Sequence, residues 1–261
     1  MEITQIRNAT VLIAVGPHRI LVDPMLSRKD DLPTLRWLTR ERRRNPIVEL
    51  PPNSDALLAS VTHCLITHCQ KGHFDHLDTA GIRWLRAQKI PVVCMPGDAD
   101  YLAKRRLNVA PLDDAAVSPF LGGTIRPIHC LHGRGYIGKF MAHGAGYVID
   151  LPGEPRLYLA GDTVLTPQVK ACLADLKPDV CVLPAGGAHF GFGQELIMNV
   201  QEVMAAAALT DALVIANHMD ALDHCPDSRA DLLAAAQREG LAHRVLAPVD
   251  GQSLTIPMAP Q

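Results

Sequence analysis

Short strand-like apolar runs alternate with helix-like segments along the 261-residue chain, and their order reads as two βα halves. Ile3 to Val15 and His18 to Val22 alternate as a hairpin turning at Gly16-Pro17. The apolar stretch Val61 to Ile66 predicts a buried strand. Thr79 to Gln88 then predicts a helix, Pro91 to Met95 a strand and Asp98 to Arg106 a helix, closing the first half. Strands near Gly123 to Leu131 and Gly144 to Asp150 open the second half, followed by a strand-like run from Leu157. Helix Thr166 to Leu176 and strand Val180 to Leu183 come next, and Asn199-Val-Gln-Glu reads as a capping box opening a helix. Strand Asp211 to Ala216, helix Ser228 to Glu239 and strand Arg244 to Leu246 complete the order. Residues 27–53 interrupt it, being rich in charge and proline. Their helix-like piece, Leu35 to Arg44, and the stop at Pro51-Pro52 predict an excursion over the surface, placed so that it could roof a functional site. Neither an internal repeat nor a low-complexity tract emerges, and residues 1–261 are expected to form one α/β domain.

Composition narrows the partners. A net charge of −2 gives no basic field for nucleic acid, and the run Arg40-Glu-Arg-Arg-Arg is a local, solvated face. Met1-Glu-Ile-Thr-Gln-Ile lacks the basic start and apolar core of a signal peptide, and no apolar run approaches membrane-spanning length, so the expectation is a cytoplasmic protein. The seven cysteines, without a Cys-x-x-Cys pair, fit reduced structural thiols better than a disulfide framework. A homo-oligomer is left open.

The chemistry concentrates in Leu65-Ile-Thr-His-Cys-Gln-Lys-Gly-His-Phe-Asp-His-Leu-Asp, which gathers His68, His73, Asp75, His76 and Asp78 after the buried strand. Neutral imidazoles and carboxylates are ligands for a borderline divalent ion such as zinc. Further candidates follow other apolar runs: His129 and His132 in Pro127-Ile-His-Cys-Leu-His, Asp162 in Leu157-Tyr-Leu-Ala-Gly-Asp-Thr, and His218 after Leu213-Val-Ile-Ala-Asn. Singly each has a bland reading as turn residue, cap or packed histidine. Together, at strand ends, they can converge on one sheet edge. Cys69 and Cys130 read as packed thiols before thiolate ligands.

In the order of these residues the chain resembles the metallo-β-lactamase superfamily, in the branch of metal-dependent hydrolases that includes the ascorbate-phosphate lactonase. Ile20-Leu-Val-Asp-Pro resembles the family's early strand, with Asp23 bracing the metal loop. Gly144-Ala-Gly-Tyr-Val-Ile, Val182-Leu-Pro-Ala-Gly-Gly-Ala-His-Phe and Met198-Asn-Val-Gln-Glu resemble later family segments. The resemblance implies an αβ/βα four-layer sandwich. The family motif His-x-His-x-Asp-His is altered here: anchored downstream, it aligns Lys71, His73, Asp75 and His76; anchored on Thr67-His68, it keeps only His68 and His73. A third arrangement brings His68 in as first ligand through a loop at Cys69 to Gly72. An imidazole binds without deprotonating an amine of pKa about 10.4, which favours His68 over Lys71, and both stay open. The resemblance implies a first metal position of His68 or Lys71 with His73 and His132. The second comprises Asp75, His76 and His218, with Asp162 bridging.

The implied function is hydrolysis of a small-molecule ester, lactone or phosphoester by a metal-bound hydroxide, with one or two ions, zinc foremost and manganese or iron also compatible. Asp75 is a ligand or general base, and His189 a substrate contact or an ordinary loop histidine. A metal-binding regulatory or ligand-binding protein on a degenerate hydrolase scaffold is the alternative, and a nuclease a more remote one.

Overall fold

A computed structural model describes residues 1–36, 40, 42–70, 72–113, 117–141, 144–191 and 193–257. Among them, two seven-stranded sheets face each other. In the first, β1 (Glu2–Arg7), β2 (Thr10–Val15) and β3 (His18–Val22) run antiparallel, and β4 (His63–Leu65), β5 (Pro91–Cys94) and β6 (Asn108–Pro111) add in parallel. In the second, β7 (Ser118–Phe120), β8 (Gly123–His129), β9 (Ala145–Asp150) and β10 (Leu157–Leu159) are antiparallel neighbours. The parallel strands β11 (Val180–Pro184), β12 (Leu213–Asn217) and β13 (Val245–Leu246) complete that sheet. The last strand, β14 (Ser253–Thr255), returns to pair antiparallel with β1. The two halves are therefore not self-contained, because the chain's end closes the edge of the first sheet.

Strand periodicity explains the layering. Val11 and Ile13 of β2, Leu65 of β4, Tyr147 and Ile149 of β9, Val182 of β11 and Ile215 of β12 meet between the sheets. The alternate residues Leu12, Leu21, Cys64 and Val92 turn outward beneath α2 (Thr79–Gln88) and α3 (Pro96–Ala103), through Leu85 and Leu102. On the far side Cys181, Leu183 and Val214 lie beneath α6 (Val200–Ala207) and α7 (Arg229–Arg238), through Val203, Met204 and Leu232. Both faces of the central strands are buried, which is why they read as continuous apolar runs. The result is the αβ/βα sandwich. No described helix is long and apolar enough to cross a membrane.

Several expected boundaries are corrected. The run Ile3 to Val15 is two strands, broken at Asn8, whose φ of 54° turns the chain. Leu35 to Arg44 is not helical at its described residues, while 37–39 and 41 lie outside them. The helix Thr166 to Leu176 splits into α5 (Pro167–Ala171) and one π turn (Cys172–Leu176). Asn199 caps α6 by accepting from Glu202 N, but Glu202 does not close a box; its carboxylate accepts from Leu165 N and Arg134 instead. The reciprocal box is at α7, between Ser228 and Asp231. The short elements α1 (Ser54–Ala59) and α4 (Gly135–Gly138) were not expected, and neither were the edge strands β6, β7 and β14.

Candidate metal centre

Loops leaving β3, β4, β8, β10 and β12 converge at one rim of the sandwich. They bring together two groups of side chains: His68, His73 and His132, and Asp75, His76, Asp162 and His218. Within each group, one ligand atom from every residue lies within 4.8 Å of the others. Each of these residues is buried. Asp162 Oδ2 stands between the groups, 3.5 Å from His132 Nε2, 3.1 Å from His76 Nε2 and 3.4 Å from His218 Nε2. Asp75 Oδ2 is 3.5 Å from His218 Nε2.

The imidazoles are held by their other nitrogens. His76 Nδ1 is 2.8 Å from Asp23 Oδ2, His132 Nδ1 is 3.0 Å from Leu196 O, and His73 Nδ1 contacts Gln70 O. Since a carboxylate or carbonyl only accepts, each Nδ1 carries a proton, which leaves Nε2 as the nitrogen that binds a cation once any proton on it is displaced. Thr67 extends the same logic. Its hydroxyl donates to Asp23 Oδ2 at 2.6 Å, so its oxygen accepts from His68 Nδ1 at 3.1 Å. Asp23, at φ 45° just past β3, thus orients His76 directly and His68 through Thr67, and it also accepts from Thr67 N.

The Nε2 atoms of His68, His73, His76 and His218 are buried without a hydrogen-bond partner. Buried polar atoms are ordinarily satisfied, so four such nitrogens, two in each group, mark a site that a cation completes. The donor set fits a divalent transition metal. The electrostatics divide the groups. Burial, reinforced by His76 and His73, pushes the His68 pKa down, and burial pushes that of His132 down to about 4. At His76 and His218 burial acts in the same direction, but the surrounding carboxylates, Asp162 foremost, outweigh it and raise both. Burial likewise opposes ionisation of Asp75 and Asp162, yet the imidazoles of His76 and His218 hold both carboxyls below the usual range.

The loop containing the altered motif bends as His68 requires. Gly72 takes φ 89°, and Gln70 is drawn outward to Gly97 O and Asp98 Oδ1. His68 and His73 then face each other with ring centroids 4.5 Å apart. Lys71 lies outside the described residues. At the back of the site Gly186 permits close approach, because a Cβ there would sit 2.2 Å from His218 O.

A pocket of about 80 Å³ opens onto His73, Asp75 and His132, walled by Leu35, Met141, Phe190 and Leu196 and closed by Gly72 and His224. His224, which stacks with Phe190, was not singled out from the sequence. The signal was there, in Asp223-His224-Cys225 a few residues past His218. Cys225 Sγ lies 3.4 Å from His218 Nδ1, and the neighbouring imidazoles of His224 and His218 outweigh burial to bring its thiol down to about 7. His189 is not among the residues lining the pocket; its Nδ1 accepts from Gly191 N and ties the turn. His129 is exposed on β8. Cys69 and Cys130 stay outside both ligand groups, with burial raising their thiol pKa values.

Fold and site define a hydrolytic metalloprotein class, and comparison with known proteins places the chain in it. A model of the beta-lactamase superfamily domain matches residues 18–238, and the chain belongs to that superfamily, in its metal-dependent hydrolase branch. Protein YddR of Bacillus subtilis (strain 168) is 31% identical over 258 residues, covering 98% of this chain and 100% of that protein. Two solved structures, a possible metal-dependent hydrolase from Veillonella parvula DSM 2008 and isothiocyanate hydrolase from Delia radicum gut bacteria, are each similar at 28% identity. Each matches with a TM-score of 0.89, over 98% of this chain and 99% of the other.

Proposed function

We propose that the chain, acting as one domain, hydrolyses a small, weakly charged molecule at an electrophilic carbon, as in an ester, a lactone or an isothiocyanate. The observation that carries this reading is the small pocket over the two ligand groups. At about 80 Å³ it is far below the roughly 300–1,000 Å³ of drug-sized sites, and no lysine or arginine lines it among the described residues. Beyond what bound ions would supply, no described lysine or arginine of the wall answers the charge of a phosphoester, so it falls behind the carbon electrophiles. Similarity to an isothiocyanate hydrolase supports the same order.

We assign His68, His73 and His132 to one ion and Asp75, His76 and His218 to another, with Asp162 shared; zinc suits the mixed nitrogen and oxygen donors, and manganese or iron would also be accepted. When bound, such ions supply Lewis acidity and lower the pKa of water. The chain's own residues prepare the rest. Asp23 keeps protons on Nδ1 of His76 and, through Thr67, of His68. Asp75 lines both the pocket and the ligand group, where its carboxylate can take a proton from water or orient it. Phe190, Leu196 and Met141 exclude bulk solvent. His224, not His189, is the imidazole placed to contact the substrate.

The test is a panel of phenyl acetate, γ-butyrolactone, allyl isothiocyanate and bis(p-nitrophenyl) phosphate, offered to zinc-loaded protein. Turnover of at least one carbon electrophile with none of the phosphodiester is expected. Turnover of the phosphodiester alone would overturn the proposal.

A further inference from the structure

Leu35 reaches the pocket from the middle of the 27–53 excursion, and one buried carboxylate holds it there. Asp223 accepts at Oδ1 from Leu35 N at 3.0 Å and from Asn45 Nδ2 at 2.9 Å. At Oδ2 it accepts from Thr34 Oγ1, and from Arg36 N and Arg43 N at 3.4 Å each. Its own amide donates back to Asn45 Oδ1 at 2.8 Å. The outgoing limb at Thr34 to Arg36 and the returning limb at Arg43 to Asn45 are therefore gathered on one side chain. They are also bridged to each other between Leu32 and Asn45. The root of the excursion is fastened separately, by the buried Arg7 guanidinium donating to Met25 O, Ser27 O and Val48 O.

Asp223 immediately precedes His224, which closes the same pocket that Leu35 walls. A carboxylate is acceptor-only at about four lone-pair sites, enough for the three close donors and a share of the two at 3.4 Å; an amide is not a substitute, since its NH2 would point donors at donors. We propose that Leu35 is the specificity-determining residue of this site, setting the size of group admitted beside the ligand residues, and that Asp223 is its positioning residue. This rests on the metal reading above and adds to it the element that selects among substrates.

The test uses full-length chain loaded with cobalt(II), whose visible absorption reports ligands entering the site, titrated with acetohydroxamate and with benzohydroxamate. The wild type should prefer the smaller probe. Leu35→Ala should cut that preference at least about tenfold, the low end of what one methylene is worth in an apolar pocket, with cobalt content unchanged. Asp223→Asn should reproduce the loss, and the double variant should go no further, since both act through one side chain. Backbone amide exchange across residues 30–36 should accelerate in Asp223→Asn and not in Leu35→Ala. Unchanged probe preference in Leu35→Ala would overturn the inference. Faster exchange in Asp223→Asn with preference intact would also overturn it, reducing Asp223 to an anchor. Failure of the wild type to take up cobalt would overturn the metal reading itself, and this inference with it.

Discussion

The two ligand groups differ in charge although they lie side by side. His68, His73 and His132 bring imidazoles alone, and burial keeps His68 and His132 unprotonated. Asp75, His76, Asp162 and His218 mix carboxylates with imidazoles, and the charges sustain each other: the carboxyls stay ionised and His76 and His218 take up protons. A cation entering the second group therefore replaces protons already there, whereas one entering the first meets ready lone pairs but little negative charge. Asp162 is the exception that links them, its Oδ2 touching imidazoles of both. On the proposed assignment, affinity would reside in the carboxylates, and the first position would depend on a residue it shares.

The strongest way to break that contrast is Asp162→Asn. The amide loses the shared charge, so both positions should weaken by about a thousandfold, beyond the 10–100-fold typical of an outer partner, and turnover should fall with them. Competition against a zinc chelator would measure it, and retained metal at both positions would show the groups to be independent. His68→Ala should act on one group only, lowering stoichiometry from two ions to one with the second position intact; elemental analysis after loading and buffer exchange gives the count. If both ions remained, His68 would not be a ligand.

Protons sharpen the comparison further. In the metal-free chain His76 and His218 have raised pKa values, so lowering the pH fills them and opposes metal, while raising it empties them and tightens binding. Affinity at the second position should drop about tenfold per pH unit for each proton displaced on moving down through neutrality. The first position should respond less over the same range, because His132 protonates only near 4. Calorimetry in buffers of differing ionisation enthalpy would count the protons, and equal release at both positions would contradict the electrostatic division. The smallest of these effects should come from Asp23→Asn, which leaves every ligand in place but loosens His76 and, through Thr67, His68. A fall of about tenfold to a hundredfold in affinity at both positions is expected. An effect confined to one of them would break the proposed link through Thr67.

Most of this site was legible because its residues follow apolar runs, where a strand end fixes direction. His73, Asp75, His76, His132, Asp162 and His218 all stand just past such runs or in the motif between them, and Asp23 follows Val22 in the same way. The first position, open between His68 and Lys71, was harder. Spacing in sequence cannot show that Gly72 turns at positive φ and Gln70 swings outward, which is what lets His68 reach its neighbours. Asp223 and Leu35 were illegible for a different reason: they meet across 188 positions, and nothing local in a charged, proline-rich stretch says which carboxylate will gather it. In the fold, the central strands were legible because burial on both faces makes them continuously apolar. Edge strands such as β6, largely exposed and only four residues long, carry no comparable pattern. At Asn8 the signal was present, since Arg7-Asn8 is a polar break with a turn-favouring residue inside an apolar run, and the alternation on either side masked it.

The central claim is that the chain holds a metal between these two groups, and anomalous diffraction from zinc-loaded crystals, collected on both sides of the zinc absorption edge, tests it most directly. The account predicts edge-dependent density within bonding distance of Asp75, His76 and His218, a second peak beside His68, His73 and His132, and the Asp162 carboxylate between them. Zinc density elsewhere on the protein with none at either group would contradict it.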